Sequence, residues 1–92
     1  MSPETGIPKI DLTTFFLSIS SAAFMGLGIG PHGETTDNVD LELARQNIDL
    51  LELMHEKTKG NRTPEEERLL EQLLFETRMR FVETQRRVGK KK

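Results

Sequence analysis

Glu52 and His55 stand three residues apart, in Glu52-Leu-Met-His55, so that on a helix both project from one face. Helical bundles hold paired iron or manganese ions with this spacing, a carboxylate and an imidazole coming from each of two helices. A second copy of the chain would double the set, and Glu71 or Glu76 would add bridging carboxylates. The same two residues also suit a plainer role, with His55 at the border of an apolar stripe and Glu52 on the solvated face. Four-residue coincidences are frequent in acidic helices, so the spacing alone assigns neither residue to a metal. A metal-binding helical bundle therefore ranks third among the functional readings.

Gly26-Leu-Gly-Ile-Gly30 has the glycine density of a phosphate-cradling loop but not its context. No strand pattern precedes it, the spacing is not G-x-G-x-x-G, and no Gly-Lys-Ser/Thr follows. It reads instead as a helix terminator. The end of the chain, Arg86-Arg-Val-Gly-Lys-Lys-Lys92, is basic enough to attract the phosphates of nucleic acid or anionic lipid. No aromatic is interleaved there, and the chain has neither tryptophan nor tyrosine for base stacking, which argues against specific nucleic-acid recognition. Cysteine is absent, which removes disulfides, thiolate ligands and a thiol nucleophile together. With no nucleophile, base and orienting group in view, no catalytic, cofactor or metal residue is assigned and a non-enzymatic protein is expected.

The elements that must position these residues are helices. Ninety-two residues allow one small domain, read as 11–88 between a flexible stretch at 1–10 and a basic tail at 89–92. Asp11 is a candidate N-cap, followed by Leu12, Phe15, Phe16, Ile19, Ala22, Ala23 and Leu27 on one face of a helix over about 12–28. Gly26, Gly28, Gly30 and Pro31 end it, and 30–39 is a polar loop. Asp40 caps a second helix over about 41–59 that carries two apolar stripes. Leu41, Ala44, Ile48 and Leu51 form one; Leu43, Leu50 and Met54, with Leu53 at the margin, form the other. Gly60 suits the left-handed turn that closes this helix. Thr63-Pro64-Glu65-Glu66 then reads as a capping box with proline at the first helical position, opening a third helix over about 64–87. Its main stripe is Leu69, Leu70, Leu73, Leu74, Phe81 and Val88, joined by Thr77 and Thr84, and its second is Phe75, Met79 and Val82. The loop at 59–64 is short, so the last two helices are expected as an antiparallel hairpin.

The run from Leu41 through Met54, the block Glu56-Lys-Thr-Lys-Gly-Asn-Arg-Thr-Pro-Glu-Glu-Glu, and Leu74-Phe-Glu-Thr-Arg-Met-Arg-Phe-Val-Glu resemble the family known as domain of unknown function 1844. The upstream Asp11-Leu-Thr-Thr-Phe-Phe-Leu-Ser-Ile-Ser-Ser-Ala-Ala resembles its opening segment. The resemblance implies a small, mainly helical bacterial protein without an assigned activity, and supplies no catalytic residues.

The expected fold is thus all-α: three helices, the last two a hairpin, packed as a homo-oligomeric bundle because each helix of the hairpin has a stripe the other cannot cover. The leading functional reading is an interaction or oligomerisation module that associates with itself and with an unidentified protein. Leu43, Leu50, Met54, Phe75, Met79 and Val82 are its candidate surface. Ser18, Ala22 and Gly26 join them, small residues at every fourth position that permit close helix approach. The alternative is a membrane-associated protein anchored through residues 12–31, which carry no charge. Five Ser/Thr and three Gly make that segment only weakly apolar and place this reading second. Fifteen acidic and thirteen basic residues leave a net charge of −2, too little for a global field toward polyanions. The opening Met1-Ser-Pro-Glu-Thr-Gly lacks the cationic start of a secretory signal, making the cytoplasm the expected compartment.

Overall fold

A computed structural model of the chain describes residues 10–90, and of Lys90 the backbone only. The expected flexible start therefore falls almost wholly outside the described residues, as do Lys91 and Lys92 of the expected tail. Three helices follow in order: α1 (Leu12–Gly26), α2 (Leu41–Lys57) and α3 (Pro64–Lys90). The fold is all-α. Among the described residues the sole β feature is an isolated antiparallel bridge between Ile29 and Thr35.

Each helix begins where a side chain can accept an orphan N–H of the first turn. Asp11 Oδ1 accepts from Thr14 N at 2.8 Å, and Asp40 Oδ1 from Leu43 N at 3.1 Å. At α3 the capping box closes in both directions: Thr63 Oγ1 accepts from Glu66 N at 3.1 Å, and Glu66 Oε1 accepts from Thr63 N at 2.7 Å. The helix ends differ from the expected limits. α1 stops at Gly26 and leaves Leu27 as its cap, while α3 continues through Gly89 to Lys90, so the first residues of the expected tail are helical.

The glycines after α1 have separate tasks. At Gly26 a Cβ would lie 2.7 Å from the backbone nitrogen of Ala44, so a hydrogen is the largest group that lets the start of α2 sit against the end of α1. Asp40 N donates to Gly26 O at 2.7 Å and locks the junction. Gly28 adopts φ +78, and a Cβ there would meet Thr36 O at 2.8 Å. The expected polar loop is accordingly a braced return: Gly30 N donates to Glu34 O at 2.7 Å and Thr36 N to Gly28 O at 2.8 Å.

Every helix touches the other two. Phe16 and Ile19 of α1, Leu51 of α2, and Leu70, Leu73 and Leu74 of α3 form the buried centre, with Leu12, Met54 and Leu69 packed against it. Ala44, Ile48 and Leu51 are the buried residues of α2, the stripe that periodicity selects. Thr77 and Thr84 lie buried on the main stripe of α3, and the Thr77 hydroxyl donates to Leu73 O at 2.7 Å, so the buried hydroxyl is not left without a partner.

Candidate functional site

The polar residues with chemical promise meet in a seam between α2 and α3. Glu52 and His55 enter from α2, Glu71 and Arg78 from α3, and Leu74 floors the groove. Arg78 reaches across the helices to Glu52 rather than to Asp49, donating from Nη2 at 2.7 Å and from Nε at 3.1 Å, both to Oε2. His55 Nε2 stands 3.4 Å from Glu71 Oε2, a long contact whose direction depends on the imidazole tautomer. All these side chains remain substantially open to water. A guanidinium already neutralises the Glu52 carboxylate, so the Glu-x-x-His pair does not present two free ligands. Glu76 lies elsewhere, lining a shallow apolar cavity with Phe24, Met25, Ile29, Pro31 and Arg80. Among the described residues no group of three or more histidines and carboxylates is placed to hold a metal ion.

The turn into α3 holds a residue that the sequence did not single out. The Arg62 side chain is only 4% exposed and folds back under the end of α2. Its Nη1 donates to His55 O at 2.7 Å and to Thr58 Oγ1 at 3.0 Å, and its Nη2 donates to Glu67 Oε1 at 3.2 Å. One guanidinium thus satisfies a carbonyl left over at the C-terminus of α2 and a carboxylate in the first turn of α3. Arginine between Gly60 and Thr63 looks like a solvated turn residue, and nothing in the spacing marks it as buried.

The second apolar stripes lie largely in water. Phe75 is 65% exposed, Val82 47% and Met79 41%, in one row along α3. Leu43 and Leu50 on α2 are also exposed, joined by Leu53. Met54 differs from these two, being half-buried against the central cluster. The small-residue row divides. Ser18 is exposed and its hydroxyl donates to Thr14 O at 3.0 Å, Ala22 is half-buried, and Gly26 is buried against Ala44 of the same chain. At its Gly26 end the close helix approach that this row permits is therefore made internally, by α2. On α1, Phe15, Leu17 and Met25 are exposed as well, and of these Leu17 and Met25 fall off the stripe read from periodicity.

Residues 12–31 do not form a membrane-crossing helix. α1 has 15 residues and ends at Gly26, a rise of about 22 Å against a hydrocarbon core of about 30 Å. The glycines and the turn that follow cannot extend it, and among the described residues no helix is long and apolar enough to cross a membrane. α3 has the length but carries charge throughout.

No curated protein and no solved structure matches the chain at a significant level. A family does: residues 9–83 match the one described as domain of unknown function 1844, a span that takes in α1, α2 and α3 through the exposed row Phe75, Met79 and Val82. The chain belongs to that family.

Proposed function

We propose that this protein works by helix-mediated association, first with a second copy of itself and then with a protein partner, as a non-enzymatic module of the bacterial cytoplasm. The observation that carries the reading is the row Phe75, Met79 and Val82, three large apolar side chains exposed side by side on the longest helix. Single apolar residues at a surface need no explanation, whereas a row of them on one helix of a small domain supports an interaction reading. Leu43, Leu50 and Leu53 on the back of α2 provide a second such face. The reading includes an antiparallel course for α2 and α3. In support of it, Glu52 contacts Arg78 whereas His55, further along α2, contacts the earlier residue Glu71.

Burying such a row would remove apolar surface from water at about 25 cal/mol per Å², a gain set against the cost of immobilising the partners. Sedimentation equilibrium of the full chain is the test. A mass above that of one chain, reduced by the double substitution of Phe75→Ser and Met79→Ser, is expected. A single-chain mass at the highest attainable concentration would overturn the reading.

A further inference from the structure

Resting on that reading and going beyond it, we propose that two copies pair through α3 in antiparallel register about a two-fold axis beside Met79. In this register Phe75 of each copy meets Val82 of the other, and Glu71 of each copy faces Arg86 of the other.

The spacing comes first. Phe75, Met79 and Val82 follow one another at intervals of four and three, which is how side chains interlock along the seam of two packed helices. All three are exposed, so the seam is open in the single chain. Register then follows from one choice. With Phe75 opposite Val82, each step forward on one helix is a step back on the other. Glu71, four residues before Phe75, falls opposite Arg86, four residues after Val82, and the symmetry makes this crossing twice. Both are exposed. Glu71 also contacts His55, but a carboxylate accepts several hydrogen bonds, so a guanidinium can join at the same group.

Orientation is decided by charge along the whole helix. α3 opens with Glu65, Glu66 and Glu67 and ends with Arg86, Arg87 and Lys90. A parallel pair would set acid against acid at one end and base against base at the other. In this register the antiparallel pair brings Glu71 level with Arg86, runs each acidic start toward the partner's basic end, and opposes the helix dipoles favourably. The apolar row sits near the middle of a 27-residue helix, so antiparallel pairing about Met79 keeps almost the full length of both helices side by side.

The test uses the full chain and measures self-association by sedimentation equilibrium. Glu71→Arg and Arg86→Glu are each expected to weaken it about tenfold, roughly 1.4 kcal/mol, because each places like charges at both crossings. An equimolar mixture of the two variants should regain wild-type affinity as a mixed dimer, since one chain then brings cations and the other anions to both crossings. Cross-linking reads the axis independently, because the chain has no other cysteine. Met79→Cys should form a disulfide-linked dimer, whereas Phe75→Cys should not, its two copies lying about 10 Å apart along the axis, beyond disulfide reach. If the wild type associates but mixing restores nothing, or Phe75→Cys links as readily as Met79→Cys, this register is wrong and association stands. A wild type that remains a single chain removes association itself, and the register with it.

Discussion

Arg62 is the residue whose replacement should be felt furthest from its own position. It reaches the His55 carbonyl of α2 and the Thr58 hydroxyl through Nη1 and the first turn of α3 through Nη2, from a side chain almost fully enclosed. Lysine carries the same charge but not the planar fork that serves several acceptors at once. Arg62→Lys is expected to cost about 1–3 kcal/mol, read as a lower urea midpoint at unchanged slope. Glu67→Gln should change stability by less than about 0.5 kcal/mol, since that carboxylate is mostly exposed and a solvent-screened pair contributes little. Equal losses from both would mean that the ion pair, not the carbonyl contact, holds the turn. Asp11 offers a second test at this scale. Hydrogen bonding from the Thr14 backbone N–H holds its carboxyl below the ordinary value of 3.8. A depressed carboxyl stabilises the folded state above its unfolded pKa and loses that contribution as pH falls through the folded one. The stability difference between wild type and Asp11→Ala, measured by urea unfolding, should therefore be full at neutral pH and shrink as pH drops below 3.8. A difference that is flat with pH would count against the carboxylate as the cap.

Elements meet most closely where the end of α1 abuts the start of α2. In Gly26→Ala, alanine would improve helix propensity by about 1 kcal/mol, but its Cβ would fall 2.7 Å from Ala44 N and 3.0 Å from Asp40 O, both backbone atoms that cannot turn aside. Overpacking of this kind costs about 1–3 kcal/mol, so the substitution should destabilise on balance by thermal or urea unfolding. Gly89→Ala is the contrast, a helical position with open space around it, and should be neutral or slightly stabilising. Matching signs at the two sites would contradict the close approach. The same junction limits what the small-residue row can do for an outside partner, since α2 already occupies its C-terminal end.

At the scale of the whole molecule, the three helices cover most of one another's main stripes, Phe15 of α1 being the large exception, and leave the row on α3 and the back of α2 in water. Association that covers these rows would link stability to concentration, because a partner that binds only the folded chain raises its melting temperature. Melting of the wild type should therefore rise by several degrees between about 5 and 500 µM. The double substitution of Phe75→Ser and Met79→Ser should melt at one temperature throughout that range. A wild-type melting temperature independent of concentration would speak against proposed self-association.

Features that depend on neighbours along the chain are legible in the residues alone. Asp11, Asp40 and Thr63 cap their helices through bonds to N–H groups three residues on, so they could be recognised without knowing the fold. The buried faces of α2 and α3 were legible for a similar reason, since a 3.6-residue period places Ala44, Ile48 and Leu51, or Leu70, Leu73 and Leu74, on one side whatever lies against it. What those faces meet is set by how the helices pack. That packing places Met54 against the core while leaving Leu43 and Leu50 exposed, closes Gly26 onto Ala44, draws Arg78 to Glu52, and encloses Arg62. Each of these depends on the distance and angle between helices far apart in sequence, which periodicity does not encode. Glu52 and His55 share a face, as their spacing requires, but the partners that α3 brings make that face a salt-bridged seam.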